Sequence, residues 1–231
     1  MRWRAPVWFV TGTDTGVGKT VLTAVTVRQW RAQQVRARAV KPLCSGGRDD
    51  ARVLRAAQDD ALGLDAVNPW HFEAALAPAM AARREGRPVR LREVLRFVQA
   101  SRADCDVLLV EGAGGLLSPL GDDFDSRTLI ARLEALPVVV AANRLGCLNQ
   151  VLLTLEALGD AADRAMLVLM QPPRSNLVSV TNAEALRDRW GPERVVEFPW
   201  LGPRWRSRAE KDVAVVRAVD RLALRGGDSG P

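Results

Sequence analysis

A glycine-rich segment near the amino end constrains this chain more than any other feature. It reads GTDTGVGKT over residues 12–20 and lies between the strand-like residues 7–11 and the helix-like residues 19–34. Glycines let such a turn curl until successive backbone N–H groups point at one anion, and the following helix adds its positive amino end. Lys19 would then reach terminal phosphates, and Thr20 would place its hydroxyl on a magnesium ion. Five residues rather than the usual four separate Gly12 from Gly18, so a turn that binds nothing is the alternative.

The rest of the chain alternates short apolar runs with longer amphipathic stretches, a pattern that predicts an α/β fold with a mainly parallel sheet flanked by helices in three layers. We expect strands at 7–11, 37–41, 106–110, 137–142, 166–170 and 195–198. We expect helices at 19–34, 50–61, 90–101, 126–133, 149–158, 182–190 and 208–224. The length of 231 residues favours one domain over residues 1–224, and the glycines and proline of residues 225–231 predict a disordered tail.

The charge balance is basic, with 33 lysines and arginines against 27 acidic residues and a net charge of +6. The arginines are scattered, which favours a solvated surface over a nucleic-acid partner. No apolar run is long enough to cross a membrane, and residues 1–6 lead directly into a strand without the features of a signal peptide. The cysteines Cys44, Cys105 and Cys147 are too widely separated for a zinc motif, so a cytoplasmic protein is the simplest expectation.

Two further segments place charged residues where predicted strands end. Lys41 follows the second strand, and Glu111 follows the buried run of residues 106–110. Ligands of parallel sheets bind outside the carboxyl ends of the strands, so both residues are expected beside the glycine-rich loop. An exposed cation at Lys41 and an arginine salt bridge at Glu111 are the alternatives. Asp49 and Asp50 open a predicted helix, where helix capping and magnesium coordination are both open.

In combination, these segments resemble the dethiobiotin synthetase family. The resemblance rests on ordered blocks through nearly the whole chain: GTDT and VGKT within residues 12–20, KP and SG within 41–46, NP at 68–69, VEGAGG at 110–115, LGCLN at 145–149 and PWL at 199–201. The five-residue spacing of the loop is the form that this family uses. The resemblance implies a P-loop NTPase fold and an ATP-dependent cyclo-ligase of biotin synthesis. With Mg²⁺, such an enzyme converts 7,8-diaminononanoate and CO₂ to dethiobiotin, releasing ADP and phosphate.

The resemblance also implies roles for individual residues. The catalytic group comprises Lys41, Lys19 and Thr15. Nucleotide binding falls to Gly16, Val17, Gly18, Lys19, Thr20, Val21, Asp50, Glu111, Gly112, Ala113, Gly114, Gln171, Pro199, Trp200 and Leu201. Substrate binding falls to Ser45, Gly115, Ser118 and Asn149, with Asn149 reaching across a homodimer interface. The metal ligands would be Thr20, Asp50 and Glu111, although Asp49 remains an alternative to Asp50.

The chain departs from the family pattern at three positions. Gln171 stands where the family usually has an asparagine for adenine, so either Gln171 takes this contact or the contact is lost. Arg144 replaces a lysine, and Ala79 replaces a histidine after Pro78. Two other members of the P-loop class are the alternative functions, namely an amide ligase of the cobyrinate type and a partner-binding nucleotide switch. The first usually carries an extra amidotransferase domain and the second an early lysine in the loop; neither is found here.

Overall fold

A computed structural model describes residues 6–203, 205–209 and 212–226, with side chains as far as residue 223. Its strands are β1 (Val7–Gly12), β2 (Ala37–Val40), β3 (Leu43–Ser45), β4 (Trp70–Phe72), β5 (Val107–Glu111), β6 (Leu136–Ala142), β7 (Met166–Met170) and β8 (Val195–Phe198). Its helices are α1 (Lys19–Ala32), α2 (Asp49–Ala56), α3 (Leu64–Val67), α4 (Pro78–Arg84), α5 (Leu91–Ser101), α6 (Ser126–Leu133), α7 (Cys147–Leu158), α8 (Leu177–Trp190), α9 (Trp205–Arg208) and α10 (Val213–Gly226), with a 3₁₀ helix at Gly159–Arg164.

The main sheet has six strands in the order β2-β5-β1-β6-β7-β8, and all of its pairings are parallel. Its central strands β1 and β5 are mostly apolar and are buried along their whole length, because both faces of the sheet are covered. Phe9, Leu108 and Ile130 belong to the core on one face. Trp8 and Leu22 belong to the core on the other. The predicted three-layer α/β architecture is confirmed.

The register of the sheet determines where the charged strand ends meet. Val10 pairs with Glu111, and Val40 pairs with Val110, so β1, β5 and β2 finish side by side. Lys41 follows directly after β2, and the glycine-rich loop follows β1. The same edge of the sheet therefore carries all three segments that the sequence singles out.

Most predicted elements have the expected place, and several end positions differ. Residues 126–133, 166–170 and 195–198 match α6, β7 and β8. The predicted helix 208–224 is present as α10, but it begins five residues later, at Val213, and residue 208 ends the separate short helix α9. Residues 225–226 lie within α10, while 227–231 of the predicted tail lie outside the described residues.

A second, smaller sheet was not predicted. It pairs β3 with β4 in parallel, and each strand has three residues. Strands this short carry too few side chains to show alternation. The short helices α3 and α4 were missed because four and seven residues are too few to show a helical period.

Among the described residues, the structure contains no helix long and apolar enough to span a lipid bilayer.

Candidate active site

The glycine-rich loop wraps around the amino end of α1. Gly16 and Gly18 have φ angles of 73° and 104°, in the left-handed region that favours glycine. A Cβ on Gly18 would lie 2.8 Å from Cε of Met170, which would have to shift, but it is the backbone conformation that requires glycine there. The Lys19 ammonium donates to the carbonyl oxygen of Asp14 at 2.8 Å, which draws the side chain back over its own loop.

Lys19 is 6% exposed, and its surroundings weaken its charge. Burial lowers the pKa of Lys19 to about 8, and the positive charge of Lys41 adds to this effect. Glu111, Asp50 and Asp14 act in the opposite direction without cancelling it. The two lysines therefore lie close enough to repel each other within one buried region.

Lys41 forms the centre of an ion-pair cluster. Its Nζ lies 2.6 Å from Oε1 of Glu111 and 3.0 Å from Oδ2 of Asp50. It also lies 3.4 Å from the carbonyl oxygen of Gly112. Burial favours the neutral amine, but the charges of Glu111 and Asp50 outweigh it and raise the pKa of Lys41. The cluster excludes the two alternatives raised above, an exposed strand-end cation at Lys41 and an arginine partner for Glu111.

The cluster also distinguishes Asp50 from Asp49. The Asp49 side chain is 94% exposed and pairs with Arg52 on the same helix, whereas Asp50 turns toward Lys41. Burial raises the pKa of Asp50, but Lys41, together with hydrogen bonds from Lys41 and Thr20, produces a net lowering. Neither aspartate caps α2, because residue 48 is the N-cap and no side-chain capping bond forms there.

Thr20 joins the same cluster from α1. Its hydroxyl donates to Oε1 of Glu111 at 2.7 Å. Glu111 Oε2 is buried and has no hydrogen-bond partner among the described residues, which is costly for a carboxylate oxygen. Two carboxylates and a hydroxyl form an oxygen-only donor set of the kind Mg²⁺ prefers when phosphates and water complete its shell. These residues fit the predicted magnesium ion.

A cavity of about 680 Å³ opens in front of this cluster. It brings together most of the predicted site residues: Thr15, Gly16, Gly18, Lys19, Thr20, Val21, Lys41, Ser45, Asp50, Ala113, Gly114 and Ser118. Ser118 also closes the turn after β5 by accepting a hydrogen bond from the Gly115 amide at 2.9 Å. A Cβ on Gly114 would lie 2.4 Å from the Ser118 hydroxyl, so this turn requires glycine.

Comparison with known proteins shows which family this chain belongs to. A family model described as an AAA domain matches residues 7–203. The ATP-dependent dethiobiotin synthetase BioD of Anaeromyxobacter dehalogenans is 46% identical over 199 residues, which cover 83% of this chain and 89% of that protein. The same enzyme of Aromatoleum aromaticum is 36% identical over 204 residues, covering 84% and 88%. This chain belongs to the dethiobiotin synthetase family.

Solved structures support the fold independently. The ParA protein of pNOB8 bound to nonspecific DNA has a TM-score of 0.63 at 13% identity, covering 98% of this chain and all of that one. The MinC:MinD cell division complex of Aquifex aeolicus has a TM-score of 0.58 at 16% identity, covering 98% of both chains. At these identities the similarity extends to the fold alone, which is the P-loop NTPase fold expected for the dethiobiotin synthetase family.

Several residues that the family resemblance assigns to the site do not line the cavity. Val17 is buried in the core, and Glu111 contacts the site through Lys41 and Thr20. The others outside the lining are Gly112, Gly115, Asn149, Gln171, Pro199, Trp200 and Leu201. Leu201 is buried in the same apolar core as residues of α1, whereas Trp200 is 54% exposed. Their roles in nucleotide and substrate binding stay predictions.

Gln171 has a defined environment although it lies outside the cavity lining. Its amide nitrogen donates to Oε2 of Glu197 at 2.8 Å, and Glu197 also pairs with Arg187 at 2.5 Å. The carboxylate can only accept, so the amide nitrogen of Gln171 faces Glu197. If Gln171 takes the place of the family asparagine in this orientation, it offers its oxygen to a base.

Sequence reasoning missed one wall of the cavity. Residues 75–78 line it together with Cys44, Gly46 and Gly47. Burial is the main cause that raises the pKa of the Cys44 thiol to about 11. The segment 75–77 carries no periodic pattern that would place it there.

Proposed function

We propose that this protein converts 7,8-diaminononanoate, CO₂ and ATP to dethiobiotin, ADP and phosphate. Membership of the dethiobiotin synthetase family supports the reaction class. The single observation that carries the proposal is the presence of two ammonium groups, Lys19 and Lys41, in the lining of one cavity beside a phosphate-binding loop. A reaction between two anions requires such a concentration of positive charge.

The proposed reaction has three steps. One amine of the substrate adds to CO₂ and loses a proton, forming an N–C bond and a carbamate anion. A carbamate oxygen then attacks the γ-phosphorus of ATP, the bond to the bridging oxygen breaks, and ADP leaves. Finally, the second amine attacks the carbamate carbon, phosphate departs with the former carbamate oxygen, and loss of a proton leaves the cyclic urea.

The loop and the lysines act mainly on the second step. Backbone N–H groups of the loop and the Lys19 ammonium bind the phosphates of ATP. In the bound state, Lys19 exchanges the Asp14 carbonyl for a phosphate oxygen. Lys41, held between Glu111 and Asp50, faces the transferring phosphoryl group and balances charge that accumulates on its oxygens. Thr15 and Ser45 both line the cavity and supply hydroxyls to the carbamate.

Magnesium completes the proposed site. Thr20, Asp50 and Glu111 would hold the ion, and the unpartnered Oε2 of Glu111 is the group that most needs a cation. When bound, Mg²⁺ neutralises phosphate charge and orients the triphosphate. Lys41 and the ion would then share the negative charge of Asp50 and Glu111.

The diamine is placed beside residues 112–118, with Gly115 and Ser118 as contacts. A homodimer completes this site in our proposal, with Asn149 reaching toward the partner's substrate. Asn149 is exposed near the start of α7, and Leu145, in the segment before the helix, is 87% exposed. Leu153 lies one turn further along the same helix face and is 62% exposed. Exposed leucines on both sides of a polar side chain suit a protein interface.

A reducing compartment suits the cysteines. Cys44, Cys105 and Cys147 are all free thiols, and two of them are buried. We therefore assign the protein to the cytoplasm.

The test is product formation by the purified protein. The diamine, bicarbonate, ATP and Mg²⁺ are expected to yield dethiobiotin by mass spectrometry, with ADP formation dependent on the diamine. Omission of bicarbonate serves as the control. A folded protein that makes no dethiobiotin with ATP, GTP or CTP would contradict the proposal.

A further inference from the structure

Asn68 is a fully buried amide that no catalytic role explains. Its exposure is 0%, and its Nδ2 donates to the carbonyl oxygens of Lys41 at 2.8 Å, Pro42 at 3.2 Å and Trp70 at 3.1 Å. The backbone N–H of Lys41 in turn donates to the carbonyl of Val67 at 3.0 Å. The segment that ends α3 therefore fixes the backbone of Lys41 at the end of β2.

Arg48 connects Asn68 to α2. Its Nε donates to Oδ1 of Asn68 at 3.1 Å, and one of its terminal nitrogens donates to the Asn68 carbonyl at 2.7 Å. That terminal nitrogen also lies 2.7 Å from Oδ1 of Asp65. The Arg48 side chain is only 15% exposed, and two donors in a planar fork fix its geometry more firmly than one contact would.

Through Arg48, this hydrogen-bond network reaches the helix that carries Asp50. Arg48 is the N-cap of α2, two residues before Asp50. Lys41 and Asp50 meet at 3.0 Å, and their backbones are joined through the path Lys41, Asn68, Arg48. The far end of α2 has a separate attachment, because Gln58 exchanges two 2.9 Å hydrogen bonds with the backbone of Ala39. Of these two attachments of α2, only the one through Arg48 is adjacent to the Asp50 carboxylate.

We propose that Arg48 and Asn68 are positioning residues that hold Asp50 at the separation from Lys41 and Glu111 that the metal ion requires. The inference rests on the proposed function for the identity of the ion and of the nucleotide. Replacing a residue that orients a metal ligand lowers the affinity for the metal, although that residue does not touch the metal. Loss of the hydrogen bonds between Arg48 and Asn68 is expected to weaken nucleotide binding in the presence of the metal and to leave nucleotide binding without the metal unchanged.

The measurement is calorimetric titration of ADP into the protein, with Mg²⁺ and separately with EDTA. The ratio of the two dissociation constants gives the gain in affinity due to the metal. In Arg48→Met this gain is expected to fall about tenfold, at the low end of the range for groups that orient metal ligands. In Arg48→Lys, the gain is expected to fall only about threefold. Lysine keeps the charge and one of the hydrogen bonds, so it replaces the planar fork of the arginine in part.

Two control variants separate positioning from charge and from stability. Arg52→Met removes an equal charge from the same helix, where the arginine pairs only with the exposed Asp49 in the described contacts. Gln58→Leu removes the buried attachment at the far end of α2. Both are expected to keep the metal-dependent gain, although Gln58→Leu is expected to unfold at a lower temperature.

A double-mutant cycle with Asp50→Asn decides whether Arg48 acts through Asp50. On that background, Arg48→Met is expected to cause no further loss of the gain. An equal loss in Arg48→Met and Arg52→Met, or additive losses with Asp50→Asn, would overturn the inference. If Arg48→Met does not fold, Arg48→Lys supplies the same comparison. A wild-type protein that makes no dethiobiotin but keeps the gain would contradict the proposed function and not the positioning role.

Discussion

The ammonium of Lys41 lies 2.6 Å from the carboxylate of Glu111, and both side chains are almost completely buried. They come from the ends of the neighbouring strands β2 and β5, so the parallel register of the sheet creates the pair. A buried charge pair of this kind is costly to break, because removal of one partner leaves the other unpaired. Lys41 is therefore tied to both the stability and the proposed chemistry of the site.

Replacement of Lys41 by alanine is expected to lower both turnover and stability. Loss of its charge from phosphoryl transfer should reduce kcat about a hundredfold or more, as is typical when one electrostatic contact to the transition state is removed. The unpaired Glu111 should cost about 3 kcal/mol of unfolding free energy. Steady-state dethiobiotin formation and urea denaturation measure the two effects.

A surface pair supplies the matched control for Lys41. Arg83 lies 2.6 Å from Asp122, and both side chains are more than half exposed. Arg83→Ala is expected to leave turnover unchanged, because Arg83 does not line the cavity, and to change the unfolding free energy little, because exposed pairs contribute little to stability. Undiminished turnover in Lys41→Ala would remove Lys41 from the mechanism.

Replacement of Gly18 by alanine is expected to weaken ATP binding. Gly18 is the N-cap of α1, and at its φ of 104° the new side chain strains the backbone by about 1–2 kcal/mol and pushes against the Met170 side chain at the end of β7. Gly86→Ala is the control, since Gly86 also has a positive φ but nothing within 4 Å of its added Cβ. Titration with ADP should show loss of affinity in Gly18→Ala alone; equal affinities would argue against the proposed loop contact.

The fold was predictable where side-chain patterns extend over enough residues. The buried valines and leucines of β5 and β7 and the apolar face of α6 define their elements without tertiary information. The start of α10 at Val213 was not predictable, because residues 208–212 are also broadly helix-compatible in sequence. Strand β3 is defined by its parallel pairing with β4, which lies far along the chain and which no local pattern reveals.

Cys44 is expected to react slowly with alkylating reagents although it lines the cavity. Burial raises the pKa of its thiol from 9.0 to about 11, so its thiolate fraction at pH 8 is about a hundredfold smaller than that of an ordinary cysteine. Peptide mass spectrometry after timed iodoacetamide treatment measures the rate. The urea-unfolded chain is the reference, and similar rates in the two states would contradict the prediction.

Substitution of Leu153 by glutamate is expected to disrupt a dimer. The change places a charge beside Asn149 in the proposed interface, where it would lose its hydration. Val213→Glu is the control, because Val213 is 63% exposed on α10 and away from α7. Analytical ultracentrifugation should find a dimer for the wild type and for Val213→Glu, and a monomer of reduced activity for Leu153→Glu. A fully active wild-type monomer would remove the role given to Asn149.

The candidate site was predictable in its composition and less so in its contacts. Strand ends and the loop motif placed Lys19, Lys41 and Glu111 at one edge of the sheet. The sequence could not separate Asp49 from Asp50, because adjacent carboxylates at a helix start differ only in direction. In the structure Asp50 lies 3.0 Å from the Lys41 ammonium, whereas Asp49 pairs with Arg52 at the surface.

The transfer of oxygen from CO₂ to phosphate tests the proposed chemistry most directly. In the proposed sequence a carbamate oxygen attacks the γ-phosphorus and leaves with the phosphate when the ring closes. Short reactions started with ¹⁸O-labelled CO₂ are expected to release phosphate carrying one ¹⁸O for each dethiobiotin formed. Dethiobiotin formed alongside unlabelled phosphate would contradict phosphoryl transfer to the carbamate.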